Sequence, residues 1–269
     1  MVVRVYTVVA SVIGVAANLQ PLAARSGVEA VNLQIRHGRP VVDGVYLNGH
    51  GPYRFLVDTG TTLNHVDPQV AEAIGITATF ATEVRTAAGR TQASGTSGID
   101  VTLGPGRAER QTFLFAGLDV LHQISPDIDG VLGQEFLSHF DYSLDMRAKQ
   151  MTFGTVVMAR GRLRVPFQLV DGRPVVATSL GPLVIDTGAP SMIRFTWPAT
   201  TPTRELVTAS GRVEVGTIAS ALVIDGRLLW HGDAVALPWP AESGAAGLLP
   251  SSLFSAVYVC NSERYLVFN

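Results

Sequence analysis

Short runs of apolar residues, separated by turn residues, follow one another along most of the chain. Residues 31–35, 41–47 and 53–57 each have the length and the Val, Leu and Tyr content typical of strands. Asn48-Gly49 lies between the last two of these runs, and this dipeptide is typical of a two-residue hairpin turn. The pattern therefore predicts a β-hairpin early in the chain.

One helix is clearly indicated. Asp67 is suited to cap it, Pro68 is suited to its first position, and Gly75 is suited to end it. Elsewhere short strands and turns dominate, without the alternation of strands and long helices that a parallel α/β fold requires. We therefore expect an all-β protein with a few short helices.

Five motifs occur twice in the same order, which indicates that the chain arose by duplication and fusion. They are Gly-Arg-Pro-Val-Val at 38–42 and 172–176, Asp-Thr-Gly at 58–60 and 186–188, a Thr-Ala-x-Gly-Arg type segment at 86–90 and 208–212, an apolar Gly loop at 130–133 and 247–250, and a closing strand pair at 142–153 and 257–268. A break in the pattern between Gly154 and Gly161 suggests the boundary. We predict an N-terminal lobe at 27–155 and a shorter C-terminal lobe at 156–269.

Composition excludes several classes of function. The 269 residues carry a net charge of −2 without a Lys/Arg cluster, so nothing indicates binding of nucleic acid. The six histidines lack paired metal-ligand spacing, and neither a G-x-S-x-G nor a G-x-G-x-x-G motif occurs. The single cysteine, Cys260, lies in an apolar strand pattern and is expected to be a buried, inert thiol.

The N-terminal segment, residues 1–26, resembles a signal peptide. Arg4 precedes an apolar stretch from Val5 to Ala17, which is too short for a full membrane span. We expect export to the periplasm or the exterior. An uncleaved membrane anchor and a translation start nearer Gly27 are the alternatives.

The two Asp-Thr-Gly triplets are the candidate chemical centre. Each follows three apolar residues, Phe55-Leu56-Val57 in one case and Leu183-Val184-Ile185 in the other. A carboxylate at the end of a buried strand is costly unless its charge is offset. Two such groups in equivalent halves can meet and share one proton, whereas a single triplet would be an ordinary β-turn.

These segments, together with the stretch from Ile128 to Leu137, resemble the aspartic proteases and, more narrowly, the retropepsin-like group. The resemblance implies two β lobes with a cleft between them, Asp58 and Asp186 as the catalytic pair, and hydrolysis of polypeptides by an activated water. It requires no metal and no organic cofactor. It also implies that a single chain supplies both aspartates, so that the protein is a monomer.

Under this resemblance the flanking residues hold the two loops. Thr59 and Thr187 would hydrogen-bond the opposite loop, and Gly60 and Gly188 would leave backbone N–H groups free for the carboxylates. Thr61 would hydrogen-bond its aspartate. Its counterpart in the second copy, Ala189, has no hydroxyl, so we expect the two carboxyls to titrate differently.

Two features depart from the family pattern. The segments at 86–90 and 208–212 lack the tyrosine of pepsin-like flaps, so Ala88, Gly89 and Gly211 are candidates for Gly-tipped flaps, with plain surface hairpins as the alternative. Pro250 stands where the first copy has Gly133, which leaves the geometry of the second loop open.

The sequence thus predicts an aspartic endopeptidase. The alternative is a catalytically silent peptide-binding protein that retains the cleft, and a less favoured one is a dimer in which each chain supplies one working aspartate. The carboxylates Asp129, Asp141 and Asp145 lie near the motifs and are expected to be turn or surface residues.

Overall fold

A computed structural model describes residues 30–86, 89–115, 118–122, 125–154, 163–196, 204–208, 211–238 and 244–269. The predicted signal peptide or anchor, the flap candidate Ala88 and most of the predicted boundary between the lobes lie outside these residues. Within them, no helix is both long enough and apolar enough to cross a membrane.

The first half of the chain contains ten strands and three short helices among its described residues. The strands are β1 (Ala30–Arg36), β2 (Arg39–Leu47), β3 (His50–Val57), β4 (Asn64–Val66), β5 (Phe80–Thr86), β6 (Gly89–Leu103), β7 (Gly106–Phe115), β8 (Gly130–Leu132), β9 (Tyr142–Asp145) and β10 (Gln150–Phe153), and the helices are α1 (Pro68–Ala73), α2 (Asp119–His122) and α3 (Gln134–Leu137).

The second half contains ten strands and a 3₁₀ turn at Ser251–Leu253 among its described residues. The strands are β11 (Arg164–Val170), β12 (Arg173–Val176), β13 (Leu183–Asp186), β14 (Ile193–Thr196), β15 (Arg204–Thr208), β16 (Gly211–Ile224), β17 (Arg227–Pro238), β18 (Gly247–Pro250), β19 (Ala256–Cys260) and β20 (Tyr265–Phe268).

The predicted hairpin and helix both form for the expected reasons. Asn48 and Gly49 adopt φ values of 49° and 81°, the left-handed pair that a tight hairpin turn requires. In α1, the Asp67 carboxylate accepts a hydrogen bond of 2.8 Å from the backbone N–H of Gln69. Gly75 follows the helix at φ 72°, a conformation that glycine adopts without strain.

The two halves share one pattern of strand pairing. In the first half β3 pairs with β2 on one side and in parallel with β8 on the other, while β4 pairs in parallel with β7 and antiparallel with β8. In the second half β13 pairs in the same way with β12 and β18, and β14 with β17 and β18. The predicted all-β fold with two pseudo-symmetric lobes is therefore confirmed.

A third sheet joins the lobes. Its strands follow the order β1, β10, β9, β19, β20 and β11, so that each half of the chain contributes three. The closing strand pairs of the two copies thus lie side by side in one continuous sheet. This arrangement connects the lobes through backbone hydrogen bonds as well as through the loops described below.

The apolar residues that precede each Asp-Thr-Gly are buried. Phe55, Leu56 and Val57 of β3 are at most 3% exposed, and Leu183, Val184 and Ile185 of β13 are at most 1% exposed. Each strand lies between two others in its sheet, so both of its edges are hydrogen-bonded. Burying each of these side chains stabilises the fold by about 1.5–3 kcal/mol, which holds the following aspartate at a rigid strand end.

Candidate active site

Asp58 and Asp186 lie at equivalent strand ends and meet where the lobes join. Asp58 follows β3 directly, and its backbone N–H donates to the carbonyl of Leu132 at 3.0 Å. Asp186 is the last residue of β13, opposite Pro250 in the parallel pair. The two carboxyls lie close enough to hydrogen-bond each other.

Each carboxyl also packs on the glycine of the opposite loop. A β-carbon placed on Gly60 would lie 2.4 Å from the Asp186 Cγ, and one placed on Gly188 would lie 2.5 Å from an Asp58 carboxylate oxygen. No side chain fits at such distances, so glycine is required at both positions. The glycine of each triplet therefore allows the two loops to pack closely against each other.

Backbone N–H groups surround the pair. The Gly60 N–H donates to the Asp58 Oδ1 and the Ala189 N–H donates to the Asp186 Oδ1, each at 2.8 Å. The Gly188 N–H lies close enough to lower the pKa of both carboxyls. These donors favour a negative charge on the pair although it is removed from water.

The electrostatics of the two carboxyls differ. Burial raises the pKa of Asp58, while hydrogen bonds from Gly60, Asp186 and Gly188 and the positive charge of Arg39 lower it. Burial, reinforced by the charge of Asp58, raises the pKa of Asp186 well above its usual value. These directions favour a proton on Asp186 that is donated to an ionised Asp58.

The two threonines form reciprocal hydrogen bonds between the loops, as expected. The Thr59 hydroxyl donates to the carbonyl of Ile185 at 2.6 Å and accepts from the backbone N–H of Thr187 at 3.1 Å. The Thr187 hydroxyl donates to the carbonyl of Val57 at 2.5 Å and accepts from the N–H of Thr59 at 3.0 Å. Both threonines are buried, so these four bonds fix the distance between the two strand ends.

Thr61 does not hold its aspartate in the way the sequence suggested. Among the hydrogen bonds of the described residues, the Thr61 hydroxyl makes none to Asp58, and its methyl group faces Gly133, 2.9 Å from where a β-carbon of that glycine would lie. The expected difference in titration between the two carboxyls stays a prediction, and its physical causes are burial and their mutual charge, not the Thr61 hydroxyl.

The substitution of Gly133 by Pro250 is matched by a second change. In the first lobe the Gly133 N–H donates to the buried Asn64 side chain at 2.9 Å. Register places Met192 in the second lobe where Asn64 lies in the first. Proline has no N–H and methionine offers no amide, so the polar pair is replaced by an apolar pair and no donor is left unpaired.

Gln134 supports the first loop from α3. Its side-chain amide donates to the carbonyl of Thr59 at 3.0 Å, and its backbone N–H donates to the carbonyl of Thr61 at 2.9 Å. Gln134 is buried. The helix that follows the apolar Gly loop therefore holds the backbone of the first triplet from behind.

Arg39 reaches the site, although the sequence marked it only as part of a repeated motif. It is 8% exposed, and its Nε donates to the carbonyl of Gly188 at 2.7 Å. Burial lowers the pKa of Arg39, whereas the charges of Asp186 and Asp58 raise it. The signal available in the sequence was its fixed place directly after the β1–β2 turn glycine, Gly38.

The flap candidates lie in two equivalent hairpins. Gly89 pairs with Thr86 in the β5–β6 hairpin, and Gly211 pairs with Thr208 in the β15–β16 hairpin. Ala88 lies outside the described residues. The hairpins are present as expected, and their role as flaps remains a prediction.

The remaining carboxylates and the cysteine occupy structural positions. Asp129 accepts from the N–H of Arg54 at 2.7 Å and Asp145 from that of Ala148 at 2.6 Å. Asp141 accepts from the N–H of Ser262 at 2.9 Å.

Cys260 is buried, as predicted, with its Sγ 3.3 Å from the Ser262 hydroxyl. Within the described ranges, no group of three or more His, Cys, Asp or Glu side chains is placed to hold a metal ion.

We expect Asp186→Asn to change how stability depends on pH. The folded protein keeps the Asp186 proton to higher pH than the unfolded chain, whose carboxyl titrates near 3.8, so the free energy of unfolding falls as pH rises from that value through the folded pKa. The variant lacks this loss of stability. At neutral pH its free energy of unfolding should exceed that of wild type by about 1.4 kcal/mol for each unit between the folded and unfolded pKa values of Asp186.

Thermal and urea unfolding across the pH range provide the measurement, with Asp145→Asn as the control for removal of one carboxylate. Wild type and Asp186→Asn should agree below about pH 4 and diverge above it. Parallel stability curves for the two proteins at all pH values would show that Asp186 ionises normally in the fold.

Comparison with known proteins finds a family match in the first half of the chain. A protein-family model described as aspartyl protease matches residues 44–136, a segment that includes Asp58 and β8 but not Asp186. Among solved structures, the chain is similar to a retropepsin-like aspartic protease from Rickettsia conorii, with a TM-score of 0.35 and 20% identity over 47% of this chain and 89% of that chain. No curated protein sequence matches. The family match confirms the predicted resemblance to the aspartic proteases.

Proposed function

From this similarity to the aspartyl proteases, we propose that the protein is an aspartic endopeptidase in which Asp58 and Asp186 activate one water molecule. The observation that carries the proposal is the close approach of the two carboxyls, each packed on the glycine of the opposite loop, at the junction of loops joined by Thr59 and Thr187. The family match implies a polypeptide as the substrate. Both carboxyls come from one chain, which supports a monomeric enzyme.

The chemistry follows from the different protonation of the two groups. Ionised Asp58 accepts a proton from the water as the water oxygen bonds to the peptide carbonyl carbon, and protonated Asp186 passes its proton to the carbonyl oxygen. The resulting tetrahedral diol then loses the amine, because Asp58 returns its proton to the nitrogen and the C–N bond breaks. A hydroxyl of the diol restores the proton to Asp186, so one water is consumed for each bond cleaved.

The surrounding donors support this assignment. The N–H groups of Gly60, Gly188 and Ala189 are fixed by the loop backbone and hold one negative charge on the pair without rearrangement. When Asp58 accepts the water proton, Asp186 gives up its own, so the negative charge moves from Asp58 to Asp186. The Ala189 N–H already donates to the Asp186 carboxylate at that point. Such preorganisation is the main way in which enzymes of this kind lower a barrier.

The first test uses wild type and Asp186→Ala on a diverse peptide library. We expect wild type to cleave internal peptide bonds and to be inhibited by a statine-type peptide, whose hydroxyl mimics the tetrahedral intermediate. Asp186→Ala should leave the library intact. Peptide binding by wild type without any cleavage would establish the silent binding protein instead, and cleavage retained by the variant would refute the proposal.

The pH profile of kcat/KM should be bell-shaped. Activity needs one charge and one proton on the pair, so it falls on the acid side when Asp58 becomes protonated and on the alkaline side when Asp186 loses its proton. Because both pKa values are raised, the maximum lies above the usual carboxyl pKa of 3.8. Rates measured from about pH 3 to about pH 9 check this, and a flat profile through pH 8 would contradict it.

A further inference from the structure

Two arginines occupy equivalent positions in the repeat but have different surroundings. Arg39 follows the β1–β2 turn in the motif Gly38-Arg39-Pro40, and Arg173 follows the β11–β12 turn in Gly172-Arg173-Pro174. Arg39 is buried, and its Nε donates to the carbonyl of Gly188. Arg173 instead has its Nη2 3.5 Å from the carboxylate of Asp171 in its own hairpin. The pseudo-symmetry of the lobes is therefore broken at this position.

The contact of Arg39 crosses from one lobe to the other. Gly188 belongs to the second Asp-Thr-Gly loop, and its N–H and Cα face the Asp58 carboxyl. One arginine of the first lobe thus holds the peptide of the second lobe on which Asp58 rests. A shift of Gly188 would move a hydrogen-bond donor of the pair and the surface on which Asp58 packs.

The charge of Arg39 has a second consequence. Burying a guanidinium is costly unless an anion offsets it. The charged groups that act on it are Asp186 and Asp58, and Arg39 in turn lowers the pKa of Asp58. Among the described residues, the donors that hydrogen-bond the two carboxylates from the loop backbone, the N–H groups of Gly60 and Ala189, are neutral.

We propose that Arg39 is a positioning residue of the candidate active site, which holds the Gly188 loop and fixes the single negative charge on the Asp58–Asp186 pair by standing beside it as a cation. This inference rests on the proposed function. It adds that only the arginine of the first lobe supports the pair. Arg39 acts through the pair and has no bond-making role of its own. Arg173, in the equivalent position, has no such role.

The test compares Arg39→Met, Arg39→Lys and the matched control Arg173→Met by the pH profile of kcat/KM. Without the cation both limbs of the bell should move to higher pH in Arg39→Met, by on the order of one pH unit. Arg173→Met should keep the wild-type profile. Arg39→Lys retains the charge but not the Nε contact, so its limbs should stay near wild type while kcat falls. A profile of Arg39→Met that coincides with that of Arg173→Met would overturn the inference, as would a shift in Arg39→Lys as large as the one expected for Met.

A second readout separates this inference from the proposed function. If wild type shows no cleavage, the proposed function fails, and the pH dependence of unfolding still tests Arg39. The loss of melting temperature in Arg39→Met relative to Arg173→Met should grow as pH rises through the titration of the pair, because Arg39 attracts the carboxyls only when they are charged. A loss that is constant with pH would show that Arg39 has a packing role alone. If Arg39→Met does not fold, Arg39→Gln, which also removes the charge, takes its place in the same comparison.

Discussion

Asp58→Asn and Asp186→Asn should each abolish peptide cleavage while leaving the fold intact. An amide has nearly the same shape as a carboxyl, but it can neither accept a proton from water nor donate an acidic proton to the substrate. We expect kcat/KM to fall by about 10³-fold or more, since general acid–base catalysis alone contributes up to about 10⁴-fold. No change of pH should restore activity, because no second protonation state supplies the lost group.

The matched control is Asp129→Asn. This carboxylate lies beside β8 in the same lobe and hydrogen-bonds the N–H of Arg54, away from the pair. Its replacement should leave kcat/KM within about threefold of wild type, as for a residue without contact to the reacting atoms. Circular dichroism and thermal unfolding confirm the fold of each variant. Cleavage that survives in Asp58→Asn, or a loss in Asp129→Asn equal to that in Asp58→Asn, would refute the catalytic assignment.

Thr59→Val and Thr187→Val should destabilise the protein severely and to a similar extent. Valine keeps the shape of threonine but removes the hydroxyl, which leaves one buried N–H and one buried carbonyl of the opposite loop without a partner. Each of the two orphaned groups costs about 1–3 kcal/mol, so we expect a loss of about 2–6 kcal/mol in the free energy of unfolding. The two values should agree because the bonds are reciprocal.

Two further variants give the controls. Thr59→Ser keeps the hydroxyl and should recover most of the lost stability. Thr61→Val lies in the same loop, where the hydroxyl makes no hydrogen bond to Asp58 among the described residues, and it should cost less than about 0.5 kcal/mol. Urea unfolding at one pH measures all four variants. A cost for Thr59→Val as small as that for Thr61→Val would show that the reciprocal hydrogen bonds do not hold the lobes together.

Much of the fold could be predicted because the repeat constrains it twice. The apolar runs before Asp58 and Asp186 predicted two buried strands, and the ordered motifs predicted two equivalent lobes. Asn48-Gly49 and Asp67-Pro68 predicted a turn and a helix start from local stereochemistry alone. The contacts of Thr59 and Thr187 were expected from the resemblance, and both are present.

The asymmetric features could not be predicted, because they depend on contacts between the lobes. Arg39 and Arg173 stand in identical motifs, and only the fold shows that the first reaches Gly188. The exchange of Asn64 and Gly133 for Met192 and Pro250 involves pairs far apart in the sequence. Thr61 was assigned to Asp58 from its proximity in the chain, but its rotamer directs its methyl group toward Gly133.

The central claim is that the carboxyls of Asp58 and Asp186 share one proton, and direct titration of those two groups tests it. Carbon-13 NMR of aspartate-labelled protein, with Asp58→Asn and Asp186→Asn for assignment, reports the charge of each carboxyl without any need for turnover. We expect two widely separated macroscopic transitions for the pair, with one proton held well above the pH at which an ordinary aspartate ionises, and a change in the remaining carboxyl's transition in either variant. Two independent transitions near the ordinary aspartate pKa, unchanged when the partner is replaced, would contradict it.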